Sequence, residues 1–368
     1  VLAIATLVWV TLFTIGGAAA EPDQGSERTS ENDRRLEKAL QRFAGADADK
    51  DGVLTAVEAR AFLEDRRASA ERWKTRLQAA LKNRPAPTYA NVKYGPHERN
   101  VFDVWLPEGS ASNEPPAVFV FSHGGGFIAG DKSKFDPRPY LEQGYAVVSS
   151  NYRFVNGHDV IAPVPMQDCA RALQHLRYKA GEFGIDPTRV AVSGGSAGAV
   201  ITMWIAFKDD MANPASADPV ERQSTRVSCI VPKSGPTNLD PAWIRTNIGG
   251  SKEVHSSLPL FYGIADADSS DEEVKAIIAD ASVINHASAD DPPTLLLYRG
   301  ELDNVPLPAD ASQGQVIHHP YFGKVLKDKL DALGVECEFH YEGNRSSAGE
   351  YEFLKKHLAR VIEVGPSE

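Results

Sequence analysis

Cysteine, methionine and net positive charge are all scarce in this chain of 368 residues. The three cysteines, Cys169, Cys229 and Cys337, allow at most one intramolecular bridge. All three fall among apolar neighbours in stretches patterned as helix or strand, which predicts buried thiols and excludes a disulfide-built scaffold. No His/Cys spacing matches a zinc site. With 39 basic residues against 50 acidic ones the net charge is −11, which leaves no electrostatic footprint for nucleic acid. A hydrophobic content of 42% at this length provides for one large core and a small accessory module. The oligomeric state is not legible.

What the chain does have is a pair of glycine-rich motifs. Arg189-Val190-Ala191-Val192 is followed by Ser193-Gly194-Gly195-Ser196-Ala197-Gly198 and then by the helix-forming run Ala199 to Trp204. Strand, sharp turn and helix around Gly-x-Ser-x-Gly hold the serine in a strained conformation that only small neighbours tolerate. Upstream, the apolar run Ala117 to Phe121 has strand length and opens into Ser122-His123-Gly124-Gly125-Gly126-Phe127. Successive glycines let main-chain N–H groups face one space, where they can hold the oxyanion formed when a serine attacks a carbonyl. A phosphate-cradling loop would need a lysine and a hydroxyl at a fixed spacing, and both are missing here.

On these two motifs the chain resembles the α/β-hydrolase superfamily, in its His-Gly-Gly-Gly esterase and lipase branch, from about Tyr89 to Val364. The resemblance implies a mostly parallel, doubly wound sheet and cofactor-free hydrolysis of carboxylic esters. It makes Ser196 the nucleophile and Gly125, Gly126 and Ala197 the oxyanion donors. Asn151-Tyr152-Arg153 and the Asp168–Arg177 segment also resemble family signatures, although packing and helix termini explain each of them better. Independently, strand-like runs at 118–121, 146–149, 190–192, 227–231, 294–298 and 335–341 alternate with helical stretches, a βαβ rhythm that argues a parallel sheet. Asn91–Tyr94 and Val101–Leu106 predict an antiparallel edge hairpin. Residues 236–290, weakly periodic and rich in Gly, Ser, Asp and Pro, read as a cap or loop insertion that shapes the substrate site.

A triad also needs an acid and a histidine. By the resemblance the acid lies on the turn after the strand Leu295 to Tyr298, three residues past Gly300, which selects Asp303 ahead of Glu301. The histidine is missing from its usual loop after the last strand, which reads Tyr341 to Gly349 with Ser346 near the expected place. His340 falls on a strand face shared with Glu336 and Glu338 and is expected to be solvated. His357 belongs to the final helix. A compensating insertion ends in His318-His319-Pro320, and Pro320 suits a first helical turn. One of these two histidines is expected to reach Ser196, and the sequence does not choose between them.

The N-terminal third carries a different pattern. Asp47-x-Asp49-x-Asp51-Gly52-Val53-x-Thr55-x-x-Glu58 matches the twelve-residue calcium loop of an EF-hand. Carboxylates stand at the first, third and fifth positions, Val53 offers its carbonyl, Thr55 acts through water, and Glu58 closes the site. Helices are expected over Leu36–Phe43 and Ala56–Leu63. A structural Ca²⁺ at Asp47, Asp49, Asp51, Val53, Thr55 and Glu58 is therefore expected, with no cofactor for catalysis. The uncharged residues 1–20 end in small side chains and read as a secretory signal, with a membrane anchor as the alternative.

The expected organisation is a signal at 1–20, a flexible linker at 21–35, an EF-hand-like module at 36–66, a helical linker at 67–88 and the hydrolase domain at 89–368. The function that follows is an exported, secreted or periplasmic ester hydrolase, acting on small-molecule esters or on acyl or aromatic esters of carbohydrate. No membrane contact is expected after signal cleavage. The alternatives are a catalytically impaired binding protein on the same fold and a serine exopeptidase.

Overall fold

The computed structural model describes residues 28–42, 46–49, 51–109, 114–250, 255–264, 271–342 and 349–360. The expected signal segment and Ser346 lie outside them. The chain divides into two compact units, the first ending at Ala79 and also taking in Asp310–Ser312.

In the first unit, helix Arg34–Arg42 and helix Ala56–Leu81 flank the acidic loop. Leu36, Ala46, Leu54 and Ala59 are buried together, with Phe62 packed against them. The second helix runs well past the expected Leu63, because good helix formers continue without glycine or proline until Pro85. Residues 28–30, expected as linker, are instead paired: Ser30 N–H donates to the Leu54 carbonyl at 2.8 Å and Ala56 N–H to that of Arg28 at 2.9 Å. The Ser30 hydroxyl accepts the Leu54 N–H at 2.9 Å. A segment just ahead of the module thus satisfies the backbone of the loop, which would otherwise present unpaired groups.

The second unit is built on eight strands: β1 Tyr89–Lys93, β2 Val101–Trp105, β3 Val118–Ser122, β4 Ala146–Ser150, β5 Val190–Gly195, β6 Cys229–Lys233, β7 Thr294–Leu297 and β8 Cys337–His340. They lie in the order β1-β2-β4-β3-β5-β6-β7-β8. The β1/β2 and β2/β4 pairs are antiparallel and the rest parallel. This is the expected mostly parallel sheet with its antiparallel edge hairpin.

Alternation along each strand divides the core. Phe119, Val147, Ala191, Val231 and Leu295 face one layer, where Phe353 and Leu354 of helix Gly349–His357 cover them. On the other face the helix Ala197–Phe207, buried at every residue, crosses β5 and β6. The three cysteines are free and buried, as expected.

Because β3 pairs with β4 on one side and β5 on the other, the chain leaves the sheet in opposite directions from adjacent strands. The carboxyl ends of β3 and β5 therefore open a crevice, the usual ligand position in such sheets. A separate depression lined by Pro107, Tyr145, Arg189 and Arg360 opens at the amino ends of these strands, the wrong edge for the motif residues. The insertion at 236–290 forms helices Pro241–Asn247, Leu258–Tyr262 and Glu272–Ala281. Phe261 stacks on Phe127 at 4.1 Å between ring centroids, and Ala162 N–H donates to the Phe261 carbonyl at 2.8 Å. The insertion is thereby pinned to the loop that follows β3.

Candidate active site

Ser196 lies between β5 and the Ala197–Phe207 helix with φ 55° and ψ −119°, a conformation that side chains rarely adopt. The strain is held from several directions. Ser196 N–H donates to the Lys233 carbonyl at 2.9 Å, and the Lys233 ammonium is anchored on Glu350 at 2.7 Å. Glycine is required on both sides, since a Cβ on Gly198 would stand 2.0 Å from the Ser122 carbonyl oxygen and one on Gly194 2.3 Å from that of Gly198. These contacts fix a strained serine at the carboxyl edge of the sheet.

The glycine loop passes directly over it. A Cβ built on Gly124 would lie 3.3 Å from the Ser196 Cβ. Gly125 has φ +113° and Gly126 φ +59°. The N–H groups of Gly125, Gly126 and Ala197 meet no acceptor among the described residues. For Ala197 this follows from its place at the first turn of a helix, where N–H groups have no intrahelical partner. Three unpaired donors beside one serine suit a developing oxyanion.

His123 braces this loop rather than facing substrate. Its Nδ1 lies 2.8 Å from the Gly124 carbonyl, which can only accept, so Nδ1 carries the proton and Nε2 accepts from Arg99 at 3.2 Å. The imidazole stacks on Tyr152 at 4.3 Å, and the Tyr152 hydroxyl donates to the His123 carbonyl at 2.8 Å. Burial lowers the His123 pKa to about 4, so the ring stays neutral. Next to it, Arg153 pairs with Asp168 at 2.7 Å and Asn151 donates to Asp131 at 2.8 Å. The two sequence signatures at 151–153 and 168–177 thus support the loop from behind.

Of the two candidate histidines, the fold brings one to the serine. His318, at the end of helix Gln313–Ile317, places Nε2 2.8 Å from the Ser196 hydroxyl oxygen. Burial lowers its pKa, and the Gly314 backbone opposes that shift. Nε2 is placed to take the Ser196 hydroxyl proton. His319 turns away: its Nδ1 accepts Tyr321 N–H at 3.1 Å and its Nε2 donates to Asn304 Oδ1 at 2.6 Å. His319 ties the turn after β7 to the helix Tyr321–Ala332.

Asp303 is not brought into the group. Its side chain is exposed on that turn, and no hydrogen bond joins it to either imidazole among the described residues. On that turn it is Asn304, not Asp303, that meets a histidine, and the histidine is His319. Glu301 is exposed as well. His340, expected to be solvated, is largely covered, with a side chain 15% exposed and a buried Nδ1 that has no partner among the described residues. His357 contacts Glu336 at 3.2 Å and meets the Phe353 ring at a tilt of 53°.

The fold also adds residues that the sequence reading missed. His255, from the insertion, has its Cε1 3.3 Å from where a Gly126 Cβ would stand, with the Ser257 hydroxyl at 3.0 Å from the same point. His255 Nδ1 lies 2.9 Å from that hydroxyl. Burial and then the nearby His318 lower the His255 pKa. Only the position of a histidine in the insertion could have hinted at this, and His286 shares that property.

The BD-FAE family model matches residues 102–315, more than half of the chain. The chain belongs to the BD-FAE family. Relatives of this BD-FAE chain are named as ester hydrolases. It is 28% identical over 288 residues to the probable carboxylic ester hydrolase LipM of Mycobacterium tuberculosis, covering 72% of this chain and 62% of that protein. It is 26% identical over 227 residues to the esterase LipQ of the same organism, covering 60% of this chain and 50% of that one. The chain thus spans between half and two thirds of these relatives' lengths.

Among solved structures, a truncated carbohydrate esterase from gut microbiota is similar with a TM-score of 0.58 at 19% identity, covering 75% of this chain and 99% of that one. An esterase of Thermogutta terrifontis gives 0.53 at 18% identity, covering 77% and 99%. The fold of the BD-FAE chain is the α/β-hydrolase fold.

In the first unit, carboxylate oxygens of Asp47, Asp49 and Glu58 lie within 4.8 Å of one another. Gly52 has φ +87°, and its N–H donates to Asp47 at 2.9 Å. Both oxygens of Glu58 are oriented, one by Ala48 N–H at 2.9 Å and the other by the N–H and hydroxyl of Thr55 at 2.9 and 2.8 Å. Asp51 stands outside the cluster, with its Oδ1 accepting Val53 N–H at 2.8 Å. An oxygen-only donor set on a glycine turn fits a hard divalent cation.

Proposed function

We propose that this chain hydrolyses carboxylic esters through a Ser196–His318 pair. The observation that carries the reading is the 2.8 Å approach of His318 Nε2 to the Ser196 hydroxyl at a strained elbow. Ser196 attacks the ester carbonyl while its proton passes to His318 Nε2, and the carbonyl oxygen becomes an oxyanion held by Gly125, Gly126 and Ala197 N–H groups. Collapse of the tetrahedral intermediate expels the alcohol, protonated by His318, and leaves an acyl-serine. Water, deprotonated by the same imidazole, then releases the acid.

No carboxylate is hydrogen-bonded to His318 among the described residues to offset the imidazolium, so a slower enzyme is expected than one with a complete triad. We take the substrates to be small esters, including acyl or aromatic esters of carbohydrate, in an exported protein. We also take Asp47, Asp49 and Glu58 to hold Ca²⁺, with Asp51, the Val53 carbonyl and Thr55 completing the loop once the ion binds, in a structural role that supplies no group to the reaction.

The test is hydrolysis of p-nitrophenyl acetate by the wild type and Ser196→Ala. Turnover lost in the variant supports the reading, and equal rates overturn it. The absence of a carboxylate on His318 favours one competitor, an impaired hydrolase fold that binds without turnover. A wild type that neither hydrolyses short esters nor reacts with a phosphonate would establish that competitor.

A further inference from the structure

The insertion brings a second imidazole into the site, and its hydrogen bonds define what it can do. Ser257 N–H points at His255 Nδ1 at 3.3 Å, and an N–H can only donate. Nδ1 is therefore the unprotonated nitrogen, and it also receives the Ser257 hydroxyl at 2.9 Å. Two donors on Nδ1 leave the proton on Nε2. Ser257 is itself buried and stands at the N-cap of the helix Leu258–Tyr262, so the group that orients the ring is a packed one.

The Nε2–H has no partner among the described residues, yet it is not a buried orphan, since His340 Nδ1 is the buried side-chain atom left unpaired among them. It therefore keeps solvent access, on a ring whose Cε1 borders Gly126. His255 cannot substitute for His318 as the base, because its one free nitrogen already carries a hydrogen. It is a fixed, neutral donor.

Its position indicates what it meets. His255 lies against Gly126, an oxyanion glycine, and close enough to His318 for a charge on that ring to disfavour one on His255. In the reaction proposed above, on which this inference rests, His318 must reach the alcohol oxygen to protonate it. A group beside both His318 and the glycine loop faces the alcohol portion of the ester. A hydrocarbon alcohol would cover the Nε2–H without pairing it, whereas a neighbouring hydroxyl or ring oxygen accepts from it.

We propose that His255 is a substrate-contacting residue that selects esters of oxygen-bearing alcohols, polyols and sugars, by donating its Nε2–H to an oxygen next to the scissile ester. The selectivity follows from the penalty on the mismatched substrate as much as from the bond to the matched one.

Two acetates of similar size test it: a monoacetylated methyl xyloside and cyclohexyl acetate, which lacks the flanking oxygens. The readout is the ratio of kcat/KM for the first over the second. His255→Phe and His255→Ala, which both remove the donor, are expected to lower that ratio about tenfold, the worth of one neutral hydrogen bond. His255→Gln, which keeps an N–H, is expected to restore it to within about threefold of the wild type. A ratio unchanged in Phe and Ala variants that still hydrolyse both esters overturns the proposal, as does a Gln variant no better than Phe. If wild type and Ser196→Ala are equally inactive on both esters and equally inert to a phosphonate, the site reading itself fails and this inference falls with it.

Discussion

Exchanging Asp303 for asparagine separates this site from an ordinary triad. In a serine hydrolase with a buried carboxylate on its histidine, the same change costs about 10⁴ in turnover, because the wrong tautomer is then favoured. Here Asp303 is exposed and hydrogen-bonded to neither imidazole among the described residues, so only a screened surface charge is lost. Such a charge is worth at most about 1 kcal/mol, or roughly fivefold.

His318→Ala should by contrast remove the general base and cost about 10²–10⁴-fold. The pH profile gives a second discriminator. Burial holds His318 below its ordinary value of 6.5, so the acid limb of kcat/KM should have its midpoint below 6.5. A buried carboxylate partner would push it the other way. The assay is p-nitrophenyl acetate hydrolysis by wild type, Asp303→Asn, His318→Ala and His319→Gln from about pH 5 to 8, spanning the ordinary histidine range. A loss of a thousandfold or more in Asp303→Asn, or an acid limb at or above about pH 7, would refute a Ser196–His318 pair that works without a carboxylate partner.

Three other outcomes are expected. The native state keeps His123 neutral down to about pH 4, against 6.5 when unfolded, so its contribution is complete above 6.5 and lost as pH falls from 6.5 to 4. That is about 3 kcal/mol, and denaturant unfolding of His123→Gln should show a flatter pH dependence over this window. Gly198→Ala, with its Cβ 2.0 Å from the Ser122 carbonyl, should destabilise by about 3 kcal/mol or prevent folding. Gly181→Ala, in open space within a helix, should change thermal stability by less than about 1 kcal/mol, and comparable effects would contradict the packing argument. Glu58→Gln should weaken calcium binding in titration calorimetry by about tenfold or more, and an unchanged isotherm would place the cation elsewhere.

The sheet and the nucleophile were legible because both rest on local signals. Apolar runs of strand length mark β3, β4 and β5, and Ser196 depends on glycines within two residues of it. The Gly125–Gly126 turn was readable for the same reason. The partner of Ser196 was narrowed to His318 or His319 but not chosen, since the choice turns on Asn304 and Tyr321 N–H claiming His319. Asp303 matched a sequence spacing while its side chain faces solvent, because a turn position does not determine side-chain direction. His255 was beyond reach. It arrives at the site through the stacking of Phe261 on Phe127, a contact between segments far apart in sequence.

Labelling with diethyl p-nitrophenyl phosphate, followed by intact mass and peptide mapping, tests the central claim most directly. The account predicts a single diethylphosphoryl adduct on Ser196 in the wild type, formed about 10²–10⁴-fold more slowly in His318→Ala and absent from Ser196→Ala. An adduct that persists in Ser196→Ala, or a rate that His318→Ala leaves unchanged, would contradict it.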